Sequence, residues 1–137
     1  MKIRACKKSD LKRCEELCDT PELYFANGGH FSVSDLEAWL DKKYFLVSEI
    51  NNKVIGLVFG EEVKCNGFMI WVIVVDKDYR GRKIGEKLLK QIEKNAKEGG
   101  RSWVVLYAST KSKKNIEFYK KQKYLIGQKC IECAKEI

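Results

Sequence analysis

"VVDKDYRGRKIGEKLL", residues 74–89, passes from an apolar run through two acidic residues and a basic, glycine-containing turn into an amphipathic segment. The eight apolar residues "FMIWVIVV", 68–75, end inside this stretch. A run of that kind has both faces covered, so it predicts the central strand of a sheet with helices above and below. After the turn, Ile84, Leu88, Leu89, Ile92 and Ala96 recur at helical spacing and stop at Gly99-Gly100, which predicts a helix with a glycine end. "SWVVLYA", 102–108, follows at once. Strand, helix and strand in this order make a right-handed crossover, which sets the third element parallel to the first.

The rest of the chain fits around that unit. Ile3 and Ala5 alternate with charged residues in a short first strand, and Ser9 and Asp10 precede a helix with Leu11, Cys14, Leu17 and Cys18 on one face. Residues 19–32 read as a loop, because a proline and Gly28-Gly29 break the pattern. Ser34 and Glu37 have the spacing of a capping box for a second helix, with Leu36, Trp39 and Leu40 facing inward. "YFLVSEI" and "KVIGLVFGE" flank Asn51-Asn52 as a hairpin, and Asn66-Gly67 supplies the next turn. A short helix is expected over 112–121 and a last strand or strands in "YLIGQKCIECAKEI". The expected fold is α/β, a mixed and mostly antiparallel sheet with helices on both faces, in a single domain spanning 1–137.

Net charge is +8, from 27 basic and 19 acidic residues, and it is unevenly placed. Residues 77–123 hold fifteen Lys and Arg against five Asp and Glu, a balance of +10; the remainder holds twelve against fourteen, a balance of −2. One half of the molecule therefore suits an anionic partner, a polyphosphate or a nucleic acid. No apolar run approaches the roughly eighteen residues of a membrane span, and the N-terminal residues lack the apolar core of a secretory signal. These features predict a cytoplasmic protein without membrane contact, whose six cysteines stay reduced. The oligomeric state is left open, a homodimer included.

A helix N-terminus carries backbone N–H groups without partners and the positive end of the peptide dipole, so the 80–85 turn is an anion site by construction. Gly81 and Gly85 let backbone approach a ligand, and Arg80, Arg82 and Lys83 add charge around it. No G-x-x-x-x-G-K-[ST] and no strand-linked G-x-G-x-x-G is present, which removes P-loop hydrolysis and dinucleotide redox chemistry. His30 is the only histidine, which excludes two-histidine metal sites such as H-E-x-x-H. Cys14-x-x-x-Cys18 falls on a core helix face. Cys130-x-x-Cys133 falls on an expected strand, where a spacing of three points side chains to opposite faces. No metal site is expected.

With these residues in view, the turn resembles the acyl-CoA-binding motif of the GNAT superfamily of N-acyltransferases, V-x-P-x-x-R-G-x-G-x-G followed by a helix. "IRACKKSDL" looks like the family's opening strand and helix, and "NIEFYKKQKY" resembles its N-x-x-x-x-Y-x-x-x-G-F segment. The resemblance implies acetyl-CoA as co-substrate, a splayed sheet that admits it, and an amine acceptor. It further implies that main-chain N–H groups of Gly81, Arg82, Lys83, Ile84, Gly85 and Glu86 hold the pyrophosphate beside Arg80. Ile73, Val74 and Val75 would lie along the pantetheine arm, Asn115 would hydrogen-bond it, and Tyr119 would give a proton to the departing thiolate. Lys77 replaces the motif's proline, Lys83 its middle glycine, and Lys123-Tyr124 its Gly-Phe pair.

The chemistry suits these residues apart from the resemblance. Transfer from a thioester to an amine needs a neutral amine, a polarised carbonyl and a proton for the thiolate. Asn115 and Tyr119 stand one helical turn apart on one face. Glu49, Glu61 and Glu62 are the candidate bases, and His30 is a candidate acceptor contact. The alternative is a non-catalytic nucleotide- or nucleic-acid-binding module, using the 77–123 region with Trp103, Tyr107, Phe118 and Tyr119 for stacking. Those aromatics fall on expected core elements, and CoA carries phosphates enough to explain the charge.

Overall fold

The computed structural model describes residues 1–137. Its elements are β1 (Lys2–Ala5), α1 (Leu11–Cys18), α2 (Val33–Glu37), β2 (Phe45–Ile50), β3 (Lys53–Val63), β4 (Gly67–Val75), α3 (Ile84–Glu98), β5 (Trp103–Leu106) and α4 (Lys113–Lys121). The five strands lie in the order β1-β2-β3-β4-β5, antiparallel through β4 and parallel between β4 and β5. This is the mixed, mostly antiparallel α/β sheet that the sequence predicts. No helix is long and apolar enough to cross a membrane.

Two apolar layers hold the helices to the sheet. On one face Leu11, Cys14, Leu17 and Cys18 of α1 and Leu36 of α2 meet Val47, Leu57, Phe59, Val72 and Val74. On the other, Ile84, Leu88, Leu89, Ile92 and Ala96 of α3 and Tyr119 of α4 meet Leu46, Ile55, Val58, Phe68 and Ile70. Each fully buried aliphatic side chain contributes about 1.5–3 kcal/mol. Cys14 and Cys18 are core residues, and burial pushes the Cys18 thiol up to about 12. All six cysteines carry free thiols.

The structure corrects five expectations. β3, not β4, is the middle strand, and it is buried from Val54 to Gly60. An apolar run reports that both faces are covered, and β4 earns that next to a four-residue edge strand. Second, Phe59 opposes Val72 while Gly60 opposes Ile70, so Trp71 is an extra residue, a β-bulge. Trp71 therefore leans toward the α1/α2 face beside Val72, packs against Trp39 with the rings tilted by 50° and 5.8 Å between centres, and stays 49% exposed. A Cβ on Gly60 would collide with the Met69 carbonyl oxygen, which explains the glycine at the bulge.

Third, the capping box is Ser32 with Asp35. Ser32 Oγ accepts the Asp35 N–H at 3.1 Å and the Asp35 carboxylate accepts the Ser32 N–H at 2.9 Å. The extended backbone at Ser32 starts the helix earlier than Ser34 would, so Trp39 and Leu40 follow its end. Fourth, the turn before β4 uses left-handed Cys65 and Asn66, while Gly67 enters the strand under the Trp103 ring. Fifth, residues 124–137 form neither helix nor strand, and Cys130 and Cys133 are exposed. Leu125, Ile126, Ile131 and Ile137 find no ladder partner and remain exposed.

Ser48 Oγ is buried without a hydrogen-bond partner, beside Gly56 of β3. An unpaired buried hydroxyl costs free energy, so Ser48→Ala is expected to raise stability by about 1 kcal/mol, read by urea unfolding at constant slope.

Candidate active site

β4 and β5 pair only where Gly67–Ile70 faces Trp103–Leu106. β4 runs on to Val75 after β5 has ended, so its second half has no neighbour on that side. A cleft of about 610 Å³ occupies the gap. It is bordered by the second half of β4, the start of α3, residues 106–109 and α4, and through the gap by Thr20, Glu22 and Leu23 from the loop after α1. The opening thus runs from one face of the sheet to the other.

Ile73, Val74, Val75, Arg80, Gly81, Lys83, Ile84, Gly85, Glu86, Asn115 and Tyr119 all border this cleft. Arg82 does not; its guanidinium lies 5.1 Å from the Tyr79 ring centre and so braces the turn. The turn is built by local bonds. Asp76 caps it by accepting the Asp78 N–H at 2.9 Å and pairs with the Arg13 guanidinium from α1. That backbone hydrogen bond, together with Arg13, holds the Asp76 carboxyl below its ordinary range. Arg80 Nε donates to the Val75 carbonyl at 3.1 Å, folding the arginine back over the strand end.

The first backbone bond of α3 runs from Lys87 N–H to the Lys83 carbonyl at 3.1 Å, and the N–H groups of residues 81–86 make none within the protein. Gly81 has φ +80 and space around its α-carbon. A Cβ on Gly85 would meet Phe118 and Val75 only at ordinary contact distance. Six unpartnered N–H groups at the positive end of a fifteen-residue helix, with Arg80 and Lys83 beside them, fit a pyrophosphate.

Tyr119 stands on α4 with 8% of its surface exposed. Its ring packs edge-on to Phe118 at 5.1 Å and Tyr124 at 5.7 Å. Tyr124 is itself tied to α3 through its hydroxyl, which donates to Glu93 at 2.8 Å. Burial alone pushes the Tyr119 hydroxyl up to about 12, so it stays protonated at neutral pH.

The family profile described as "Acetyltransferase (GNAT) domain" matches residues 41–124, more than half of the chain. The chain belongs to the GNAT acetyltransferase family. The match covers β2 through α4, and so most of the cleft. An uncharacterized N-acetyltransferase of Methanocaldococcus jannaschii is 37% identical over 95 residues, 61% of this GNAT chain and 41% of that protein's length. The chain thus spans about two fifths of that relative. Among solved structures, Ard1 of Thermoplasma volcanium superposes with a TM-score of 0.80 at 21% identity, over 93% of this chain and 84% of its own. A Mycobacterium tuberculosis protein solved in complex with CoA superposes with a TM-score of 0.75 at 18% identity, over 90% of this chain and 70% of its own. At these identities the two structures speak for the fold.

The GNAT chain departs from the family motif most tellingly at Lys83, and its backbone says why glycine is usual there. Lys83 is left-handed, at φ 61 and ψ 19, immediately before α3. A non-glycine residue in that region costs about 1 kcal/mol or more. Lys83→Gly is therefore expected to stabilise the fold by about 1 kcal/mol, a few degrees in Tm. It is also expected to weaken acetyl-CoA binding by about threefold, because an exposed ammonium beside the anion site is lost. Thermal unfolding and calorimetry of one variant check both signs.

None of the three carboxylates singled out as bases borders the cleft of the GNAT chain. Glu49 pairs with Arg4 at 3.3 Å, Glu61 accepts the Trp71 indole N–H at 3.1 Å, and Glu62 accepts the Tyr44 hydroxyl at 2.6 Å. His30 bonds locally to the Phe31 carbonyl at 3.2 Å and likewise lies outside the cleft. Sequence reasoning missed Trp71, because nothing in an unbroken apolar run marks a bulge. It also missed Glu22, whose carboxylate accepts the Thr20 hydroxyl at 2.7 Å. That bond holds the Glu22 carboxyl below its ordinary range, which leaves it a charged group of weakened basicity. Phe118, named from the sequence only for stacking in the nucleic-acid alternative, borders the cleft three positions from Asn115 on α4.

Proposed function

We propose that the protein transfers an acetyl group from acetyl-CoA directly to a primary amine. The observation that carries this reading is the through-sheet cleft, with unpartnered N–H groups of residues 81–86 at one end and Tyr119 in its wall. Acetyl-CoA would set its pyrophosphate on those N–H groups beside Arg80 and Lys83. Its pantetheine would lie against the unpaired edge of Ile73, Val74 and Val75 in the manner of an added strand, with Asn115 on the opposite wall. The amine would enter from the side of Thr20, Glu22 and Leu23.

Attack of a neutral amine on the thioester carbon makes a tetrahedral intermediate, whose oxyanion would be met by backbone N–H near Val75. The C–S bond then breaks, and the nitrogen loses a proton as the sulfur gains one. Tyr119 suits that exchange as a relay. An alkyl thiol titrates near 8.5, so full donation from a hydroxyl at about 12 would be uphill by on the order of 5 kcal/mol. Tyr119 instead hydrogen-bonds the developing thiolate and passes on the proton that the amine releases. With no raised carboxylate in the cleft, the acceptor arrives already deprotonated, and kcat/KM rises with the free-base fraction of the amine.

We take residues 1–137 as one catalytic domain, since the cleft draws on residues from Thr20 to Gln122. Six free thiols accord with a cytoplasmic setting. Acetyl-CoA at about a hundred times its Kd should stabilise the fold by about 2.7 kcal/mol, seen as a thermal shift and a saturable calorimetric signal. No shift with acetyl-CoA, together with nucleic-acid binding of steep salt dependence, would overturn the reading in favour of a nucleic-acid module.

A further inference from the structure

We infer that Trp71, Trp39 and Glu61 form an acceptor subsite that selects amines carrying a second positive charge, an inference that rests on the acetyl-transfer reading above. Trp71 borders the through-sheet cleft, while Trp39 and Glu61 border a second depression of about 740 Å³ formed by residues 38–44 and 60–62. The tilted Trp71–Trp39 pair joins the two.

The bulge at Trp71 makes this possible. In a regular strand the side chains at 71 and 72 would face opposite ways; here both serve the α1/α2 face, Val72 in the core and Trp71 at its rim. The indole is then fixed on two sides. Its N–H is held by Glu61 at 3.1 Å, and its ring rests on Trp39, which packs on Phe59 of the core at 5.1 Å. A half-exposed indole locked to a carboxylate offers a cation both a ring face and an anionic oxygen.

Glu61 has a free share of its charge to give. In the same depression Glu62 is occupied by Tyr44, and Asp41 accepts the N–H groups of Lys43 and Tyr44 at 2.7 and 2.9 Å, whereas Glu61 takes a single indole N–H. Lys42 and Lys43 also border the depression, so the cation must be gripped at Glu61 and the indoles rather than drawn by the depression as a whole. The −2 charge balance outside residues 77–123 has the matching sign.

The test compares linear α,ω-diamines with n-alkylamines of matched length as acceptors, in the wild-type protein and in Glu61→Gln, Trp71→Ala and Trp71→Phe, with acetyl-CoA KM and circular dichroism as controls. The wild type is expected to favour the diamine by about tenfold in kcat/KM. Glu61→Gln should bring the two acceptors to near parity at unchanged KM for acetyl-CoA, Trp71→Ala should abolish the same preference, and Trp71→Phe, which keeps a ring face, should retain most of it. Acetylation of both acceptors without a preference, or with one that survives Glu61→Gln and Trp71→Ala, overturns the inference and leaves the acetyl-transfer reading standing. Failure to acetylate any amine while acetyl-CoA binds removes the reading and the inference together.

Discussion

Tyr119→Phe is expected to lower kcat for acetyl transfer by about a hundredfold while the Kd for acetyl-CoA stays within about threefold. The asymmetry follows from the position of the residue. The ring supplies the packing, edge-on to Phe118 and Tyr124 inside the α3/α4 layer, and phenylalanine keeps all of it. Only the hydroxyl is lost, and it is needed when negative charge appears on sulfur, not while the thioester is merely bound. The pH dependence separates this role from others. A hydroxyl at about 12 remains protonated through the usable range, so the wild-type kcat/KM should climb with amine deprotonation and show no falling limb below about pH 11. The variant should keep that shape at lower height. Steady-state rates across pH, with calorimetry for acetyl-CoA, measure both parts, and an unchanged kcat removes Tyr119 from the chemistry.

Gly81→Val should raise the Kd for acetyl-CoA by about thirtyfold or more, with a much smaller effect on folding. At φ +80 a β-branched residue is strained by about 2 kcal/mol, and the turn relieves that strain by moving. What moves is the start of the row of unpartnered N–H groups on which a pyrophosphate depends. The side chain itself meets nothing, since no atom lies within 4 Å of the position a Cβ would take, so the fold has little reason to suffer. Gly85→Ala is the informative contrast. Its Cβ would make only ordinary contact with Phe118 and Val75, so the variant should fold normally, and any loss of affinity there reports the approach of ligand to backbone.

The sequence made α3 legible down to its five buried residues, because a long amphipathic segment closed by glycines leaves few alternatives. The parallel pairing of β4 with β5 followed from the same unit. The place of β4 in the sheet was not legible, since an apolar run carries no record of which strand lies beside it. The bulge was hidden for a related reason. Trp71 reads as one more core residue until its register against Phe59 and Gly60 turns it outward. The tail beyond Tyr124 misled in the opposite direction, having strand-forming residues but no strand to join. At the site, the glycine-basic turn at the start of α3 stood out in the sequence, and most of its residues do border the cleft. The rest of the cleft did not, because Thr20, Glu22 and Trp71 come from segments far apart in the chain and meet only in the fold.

Acetyl transfer to an amine within this cleft is tested most directly by incubating the protein with acetyl-CoA and a panel of primary amines, following free CoA thiol and acetylated amine in the same reaction. Both products are expected in equal amounts, at a rate that saturates in acetyl-CoA and falls about a hundredfold in Tyr119→Phe. Saturable acetyl-CoA binding with neither product formed above the uncatalysed level would contradict it.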